Sequence, residues 1–240
     1  MKSGAHAGQQ MLRSCFVTGT DVAVGKTLIA SALVNRLRNH GVHTVGMKPV
    51  ATGGTLEHGR WRQSDLEQLA KEGSFEFPGR VLSPYIFAQE SAPQAAAEMA
   101  GVQMRIEEMV DTFEVLATWA DVIVVDADRD FLDPLGADFD TADLARALDL
   151  PVILVVGIGS GCVEQAVLTD MALRARGLEL VGWVANMMDA EPSQAQTLVD
   201  ALGQHLGAPC LAQIPRLLHS EVAEVAAQFP IQTLLAALRR

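Results

Sequence analysis

Basic residues are scarce in this chain. Lys and Arg number 18 against 29 Asp and Glu, a formal net charge of −11. That balance argues against non-specific binding to nucleic acid or to an anionic membrane. A local anion site stays possible, because a few lysines in a folded site can concentrate positive potential. Cysteine is scarce too. Cys15, Cys162 and Cys210 are widely spaced, odd in number and form no Cys-x-x-Cys pair. With no secretion signal, they read as reduced thiols of a cytoplasmic protein, each a small buried apolar residue. No apolar run is long enough to span a membrane. Residues 1–10 lack the apolar centre of a signal peptide and read as a disordered extension, with Met11 as an alternative start. There is no repeat and no low-complexity linker. The hydrophobic content of 49% suffices for a substantial core, and residues 11–240 read as one domain.

What the chain does have is a strand, a glycine loop and a helix in close succession. Cys15, Phe16 and Val17 form a short apolar run. The chain breaks at Gly19 and reaches Gly25-Lys26-Thr27, after which Leu28, Ile29, Ala30, Leu33, Val34 and Leu37 recur at helical spacing. This is the order of a phosphate-binding P-loop. Glycines let backbone N–H groups close around an anion, and the helix N-terminus adds its positive end. Lys26 is placed to reach terminal phosphates, and Thr27 to put its hydroxyl on a magnesium ion. Gly19 and Gly25 enclose five residues, where the common form has four.

The same alternation continues. A first helix is expected over residues 26–39, closing near Gly41, and a strand over 42–45 leads to Lys48. A polar loop should run to Gln63, with Ser64 opening a capping box and Asp65 in the first helical turn. Residues 79–87 look extended. Ser91 would cap a helix to Met99, and another helix covers 105–120. Strands are expected at 121–126, 151–156, 179–185 and 209–214, and helices at 141–148, 162–176 and 192–206, with two helical pieces closing the chain. Such alternation implies an α/β fold with a mostly parallel sheet covered on both faces. Ligand groups should then gather at the strand C-termini, where Lys48, Asp126, the 157–162 loop, Asn186 and Pro215 fall.

These segments resemble the ATP-dependent dethiobiotin synthetases. The likeness runs from Phe16 to about Pro215. It is carried by Val17-Thr18-Gly19-Thr20-Asp21 with Val24-Gly25-Lys26-Thr27, by Lys48-Pro49-Val50-Ala51-Thr52-Gly53, by Ser64-Asp65, and by Pro84-Tyr85 with Phe87-Ala88. The 151–157 strand, Gly161-Cys162 and Gly182-Trp183-Val184-Ala185-Asn186 complete it. The longer P-loop spacing belongs to that family. The resemblance implies a homodimeric P-loop NTPase-like fold. It also implies an enzyme that makes the cyclic urea of dethiobiotin, in biotin biosynthesis, from 7,8-diaminononanoate, carbon dioxide or bicarbonate, ATP and magnesium. A carbamate would form on one amine and attack the γ-phosphate; the second amine would close the ring on the mixed anhydride. Lys26 and Lys48 would be catalytic. ATP would lie against Gly19, Val22, Ala23, Val24, Gly25, Lys26, Thr27, Asp65, Asn186, Ile214 and Pro215. Lys48, Thr52, Gly161, Cys162 and Val163 would bind substrate, the last three across a dimer interface. Thr27, Asp65 and Asp126 would hold Mg2+.

The chain also departs from that family. Val22 and Ala23 stand where a hydroxyl residue and often a glutamate are usual. Asp126-Ala127-Asp128-Arg129-Asp130 replaces a glutamate and a glycine-rich loop, and Glu164 replaces an asparagine. Two alternatives therefore stay open beside the synthetase: a divergent paralogue with altered substrate or reduced catalysis, and a noncatalytic ATP-binding P-loop switch. Lys26, Thr27, Lys48 and Asp65 together favour the synthetase, since a switch has no need of Lys48.

Overall fold

The computed structural model describes residues 11–188, 192–216 and 221–239. The extension expected at residues 1–10 lies outside them. In chain order, β1 (Cys15–Gly19) leads to α1 (Lys26–Asn39), β2 (Thr44–Met47) and β3 (Val50–Ala51). A small excursion follows: β4 (Thr55–Glu57), β5 (Arg60–Arg62), α2 (Ser64–Glu72), α3 (Gly79–Leu82) and β6 (Tyr85–Ile86). Next come α4 (Pro93–Ala100), α5 (Ile106–Ala117), β7 (Val122–Asp126), α6 (Thr141–Ala147), β8 (Val152–Ile158) and α7 (Cys162–Ala175). The chain then gives β9 (Leu180–Met187), α8 (Pro192–His205), β10 (Cys210–Ile214), α9 (Val222–Ala227) and α10 (Ile231–Ala237).

A six-stranded sheet in the order β10-β9-β8-β1-β7-β2 forms the centre, and each of its pairings is parallel. Strands buried on both faces need no polar alternation, and β1, β7 and β8 read accordingly as near-continuous apolar runs. Val17, Ile153 and Val155 face α1, α9 and α10. Phe16, Val125 and Val152 face the opposite layer, which α5 and α6 cover, and α7 and α8 extend that layer over Leu154, Val156 and Trp183. The strand order turns around at β1. From there the chain moves outward to β2, returns to β7 and crosses to β8. This is the point where open α/β sheets leave a crevice beyond their strand C-termini. Among the described residues no helix is long and apolar enough to cross a membrane.

Several boundaries differ from the sequence expectation, each for a local reason. The second strand begins two residues later than expected. Gly41, at φ 86, and Val42 return their N–H groups to Arg38 and Leu37, so Val42 closes α1 in a Schellman motif rather than opening β2. The expected polar loop up to Gln63 holds a hairpin, β4 against β5, turned at His58 and Gly59 with φ 50 and 77, the left-handed pair of a type I′ turn. Residues 79–87 are not uniformly extended. Pro78 precedes a single helical turn, α3, and only Tyr85 and Ile86 pair as β6, against β3. Gln63, not Ser64, caps α2, its side chain accepting from Leu66 N–H at 2.7 Å. α4 begins at Pro93 with Ala92 as its cap, while the Ser91 hydroxyl donates to the Ala92 carbonyl. α5 stops at Ala117.

Candidate functional site

The loop after β1 ends at Gly25, whose φ of 88 is left-handed. A Cβ there would also stand 2.7 Å from Asn186 Nδ2. Backbone and space both demand glycine. No side chain caps the start of α1, so its first N–H groups remain available to an anion at the positive end of the helix. Asn186, near the end of β9, donates from Nδ2 to the Val24 carbonyl at 2.9 Å. This bond ties the loop to the neighbouring strand end. Ile214 pairs in register with Asn186 from β10 and is buried, and Pro215 follows at the surface. Val22 and Ala23 are exposed on the loop, while Val24 is buried.

Two lysines converge beside this loop. Lys26 Nζ donates to the Asp21 carbonyl at 2.7 Å and the Val22 carbonyl at 3.0 Å, and lies 3.9 Å from Asp130 Oδ1. Burial draws its pKa down, with Asp130 and Asp126 opposing. Lys48 follows β2 and is buried. Its Nζ lies 3.0 Å from Asp126 Oδ2, 3.4 Å from Asp65 Oδ2 and 3.5 Å from Asp128 Oδ1. Burial alone would lower its pKa, but Asp126, Asp128 and Asp65 outweigh that cost and raise it, so Lys48 stays charged.

Thr27, in the first turn of α1, completes the network. Its hydroxyl lies 2.7 Å from Asp126 Oδ2 and 3.3 Å from Asp65 Oδ2. Asp65 therefore does more than favour the start of a helix: it meets both Thr27 and Lys48. Thr52 Oγ1 donates to Asp128 Oδ2 at 3.3 Å. Burial pushes the Asp128 carboxyl up, Lys48 draws it down and Asp126 pushes it up again. The sequence marked Gln63 only as the end of a loop. Besides capping α2, its Nε2 donates to the Thr52 carbonyl at 3.2 Å, so one side chain sets Thr52 and Asp65 relative to each other.

The arrangement suits a hard divalent cation. Asp126 is fully buried, and its Oδ1 has no hydrogen-bond partner. An ion held there would give that oxygen a partner. Thr27, Asp65 and Asp126 offer only oxygen, as magnesium prefers. Among the described residues no three His, Cys, Asp or Glu side chains are placed to hold a metal by themselves. An ion held by Thr27, Asp65 and Asp126 would have to take its remaining ligands from outside the chain.

Gly161, Cys162 and Val163 open α7 after β8. None of the hydrogen bonds or ion pairs of the lysine network involves them. Gly161 has φ 77, and the space where its Cβ would stand is open. Cys162 is buried, Val163 half-buried and Glu164 exposed. Burial pushes the Asp133 carboxyl up, and the Arg129 charge draws it down.

A protein-family profile described as AAA domain matches residues 13–223. The ATP-dependent dethiobiotin synthetase BioD of Aromatoleum aromaticum is 42% identical over 215 residues, covering 90% of this chain and 96% of that protein. The protein of the same name from Ralstonia nicotianae is 40% identical over 222 residues, covering 92% and 97%. Among solved structures, a ParA family ATPase from Chlorobium tepidum superposes with a TM-score of 0.54 at 14% identity, over 94% of this chain and 93% of that one. The signal recognition particle receptor FtsY of Elizabethkingia anophelis in complex with GDP gives 0.52 at 14% identity, over 99% and 67%. These two likenesses concern the fold, a P-loop α/β sheet. Likeness to the synthetases over nine-tenths of the chain goes further: the chain belongs to the ATP-dependent dethiobiotin synthetase family.

Proposed function

We propose that this protein closes the ureido ring of dethiobiotin, using ATP, 7,8-diaminononanoate and carbon dioxide. The observation that carries this reading is the meeting of Thr27, Lys48, Asp65 and Asp126 at the C-terminal edge of the sheet, next to the P-loop that carries Lys26. A carbamate and a triphosphate repel each other, and bringing them together needs fixed positive charge. Lys26 serves the phosphate side. Lys48, buried and kept charged by its carboxylates, serves the side where carbamate oxygen attacks the γ-phosphate, breaking its bond to the β–γ bridging oxygen so that ADP leaves. The uncapped start of α1 supplies further N–H donors. Thr52 sits four residues beyond Lys48, where its hydroxyl can serve substrate or phosphate. The second amine then attacks the carbonyl carbon of the mixed anhydride, and phosphate leaves. Thr27, Asp65 and Asp126 would hold Mg2+, which supplies charge neutralisation between the phosphate oxygens when bound. Asn186 would face the adenine with its amide, which can donate and accept, while the Val24 bond fixes its position. Ile214 and Pro215 would flank the base.

The protein would work as a cytoplasmic homodimer. Supporting this, α7 presents Glu164, Leu168, Met171 and Ala175 along one exposed stripe, with Leu168 64% and Met171 61% exposed. Gly161, Cys162 and Val163 open the same helix, so a partner seated there would reach the site from its own copy of that loop. The test is rescue of a biotin auxotroph that lacks its own synthetase. Growth on 7,8-diaminononanoate supports the reading. No growth, with ATP binding intact, would favour a paralogue of altered substrate or reduced catalysis.

A further inference from the structure

The ammonium of Lys26 is engaged within the chain on more than one side. Lysine carries three donors. Two are spent on the Asp21 and Val22 carbonyls, and Asp130 Oδ1 lies 3.9 Å away, within ion-pair range but beyond a hydrogen bond. The lysine side chain is only 3% exposed. Asp130 is half-exposed as a whole, yet its Oδ1 is shielded from solvent and accepts no hydrogen bond. A shielded carboxylate oxygen thus stands within ion-pair range of the lysine that the P-loop offers to a phosphate.

The other charges nearby do not relieve this. Lys48 is engaged by Asp126, Asp65 and Asp128, and Asp128 also takes the Thr52 hydroxyl. Nor can the loop swing away freely. Ala127 and Phe131, on either side, are 4% and 3% exposed and belong to the core, and the Asp133 N–H bonds back to the Asp130 carbonyl at 3.3 Å. The movement left to Asp130 is rotation of its side chain.

We propose that Asp130 is an internal competitor for Lys26, holding the lysine while no polyphosphate is bound and turning out before terminal phosphates can engage it. At about 4 Å, like charges repel as strongly as opposite charges attract. Lys26 therefore holds Asp130 or a phosphate, not both. This rests on the nucleotide reading above and makes Asp130 a determinant of nucleotide affinity that the P-loop pattern itself does not contain.

The test is calorimetric titration of the full chain with ATP, once with magnesium and once with the metal chelated. Three proteins are compared: wild type, Asp130→Asn, and Asp138→Asn, an equal charge change at an exposed position of the same stretch. Asp130→Asn should bind ATP about three- to tenfold tighter under both conditions, and Asp138→Asn should match wild type within about twofold. Unchanged or weaker affinity in Asp130→Asn overturns the proposal while the nucleotide reading stands. An equal gain in Asp138→Asn overturns it as a mere net-charge effect. A gain that needs magnesium overturns it too, because competition for Lys26 requires no metal. If neither wild type nor Asp130→Asn binds ATP, both readings fall.

Discussion

Lys48 Nζ and Asp126 Oδ2 sit 3.0 Å apart, with side-chain exposures of 1% and 0%. Removing one member of such a pair leaves the other charge buried and uncompensated. Lys48→Ala is expected to cost about 3 kcal/mol of stability and to abolish ring closure. Urea unfolding of the variant beside wild type measures the first effect; an unchanged midpoint would show that Asp126 is satisfied without the lysine.

Lys26→Ala removes the charge that the loop presents to phosphates. ATP affinity should fall by at least about tenfold, since charge-assisted bonds to phosphate are roughly twice as strong as neutral ones. Equal affinity by calorimetry would remove the loop from the nucleotide site.

Asn186→Ala deletes the bond that ties the Val24 carbonyl to β9. A single hydrogen bond of this kind contributes about 1 kcal/mol, so stability should drop slightly while ATP affinity drops more, through a looser loop. An equal affinity for ATP in the variant would show that Gly25 and the start of α1 hold their shape unaided.

Much of this arrangement could be read in the residues. Gly19, Gly25, Lys26 and Thr27 announce themselves through the apolar run before and the helical period after, and a lysine at a strand end points to the sheet edge. What could not be read depends on bonds that leave no periodic trace. Val42 looks like a strand residue, yet its N–H is consumed by Leu37. The β4–β5 hairpin has only three residues per strand, too few for alternation to show, and its one signal was His58-Gly59. Ser64 is the better capping residue by type, but the side chain of Gln63 reaches Leu66 first. Asp128 and Asp130 could be counted as excess charge, while their pairing with Lys48 and Lys26 depends on side-chain directions that a loop sequence does not encode.

The dimer can be tested through Leu168 on the exposed stripe of α7. Leu168→Glu places a charge in the proposed interface, where unpaired charge is costly, and should yield monomers by light scattering at micromolar concentration. A wild-type chain that is already monomeric and fully active would sink the homodimer.

Burial pushes the Cys15 thiol up to about 12 from 9.0. Because the folded state favours the neutral thiol, the stabilising contribution is complete below pH 9 and fades as pH rises toward 12. In the native protein at about pH 8, Cys15 should resist iodoacetamide and react only after unfolding. Peptide mapping by mass spectrometry that finds Cys15 alkylated in the native state would contradict its burial.

The central place of β1 also bears on how the molecule comes into being. This strand precedes β7 and β8 in the chain by more than a hundred residues, yet they are its neighbours, and the Ser14 hydroxyl that meets Ile123 N–H does so across 109 residues of chain. Contacts so far apart must wait for loop closure, which slows folding and leaves apolar strands uncovered meanwhile. The P-loop hangs from the end of that strand. A nascent chain halted before β7 would hold every residue of the Gly-Lys-Thr motif and no phosphate site.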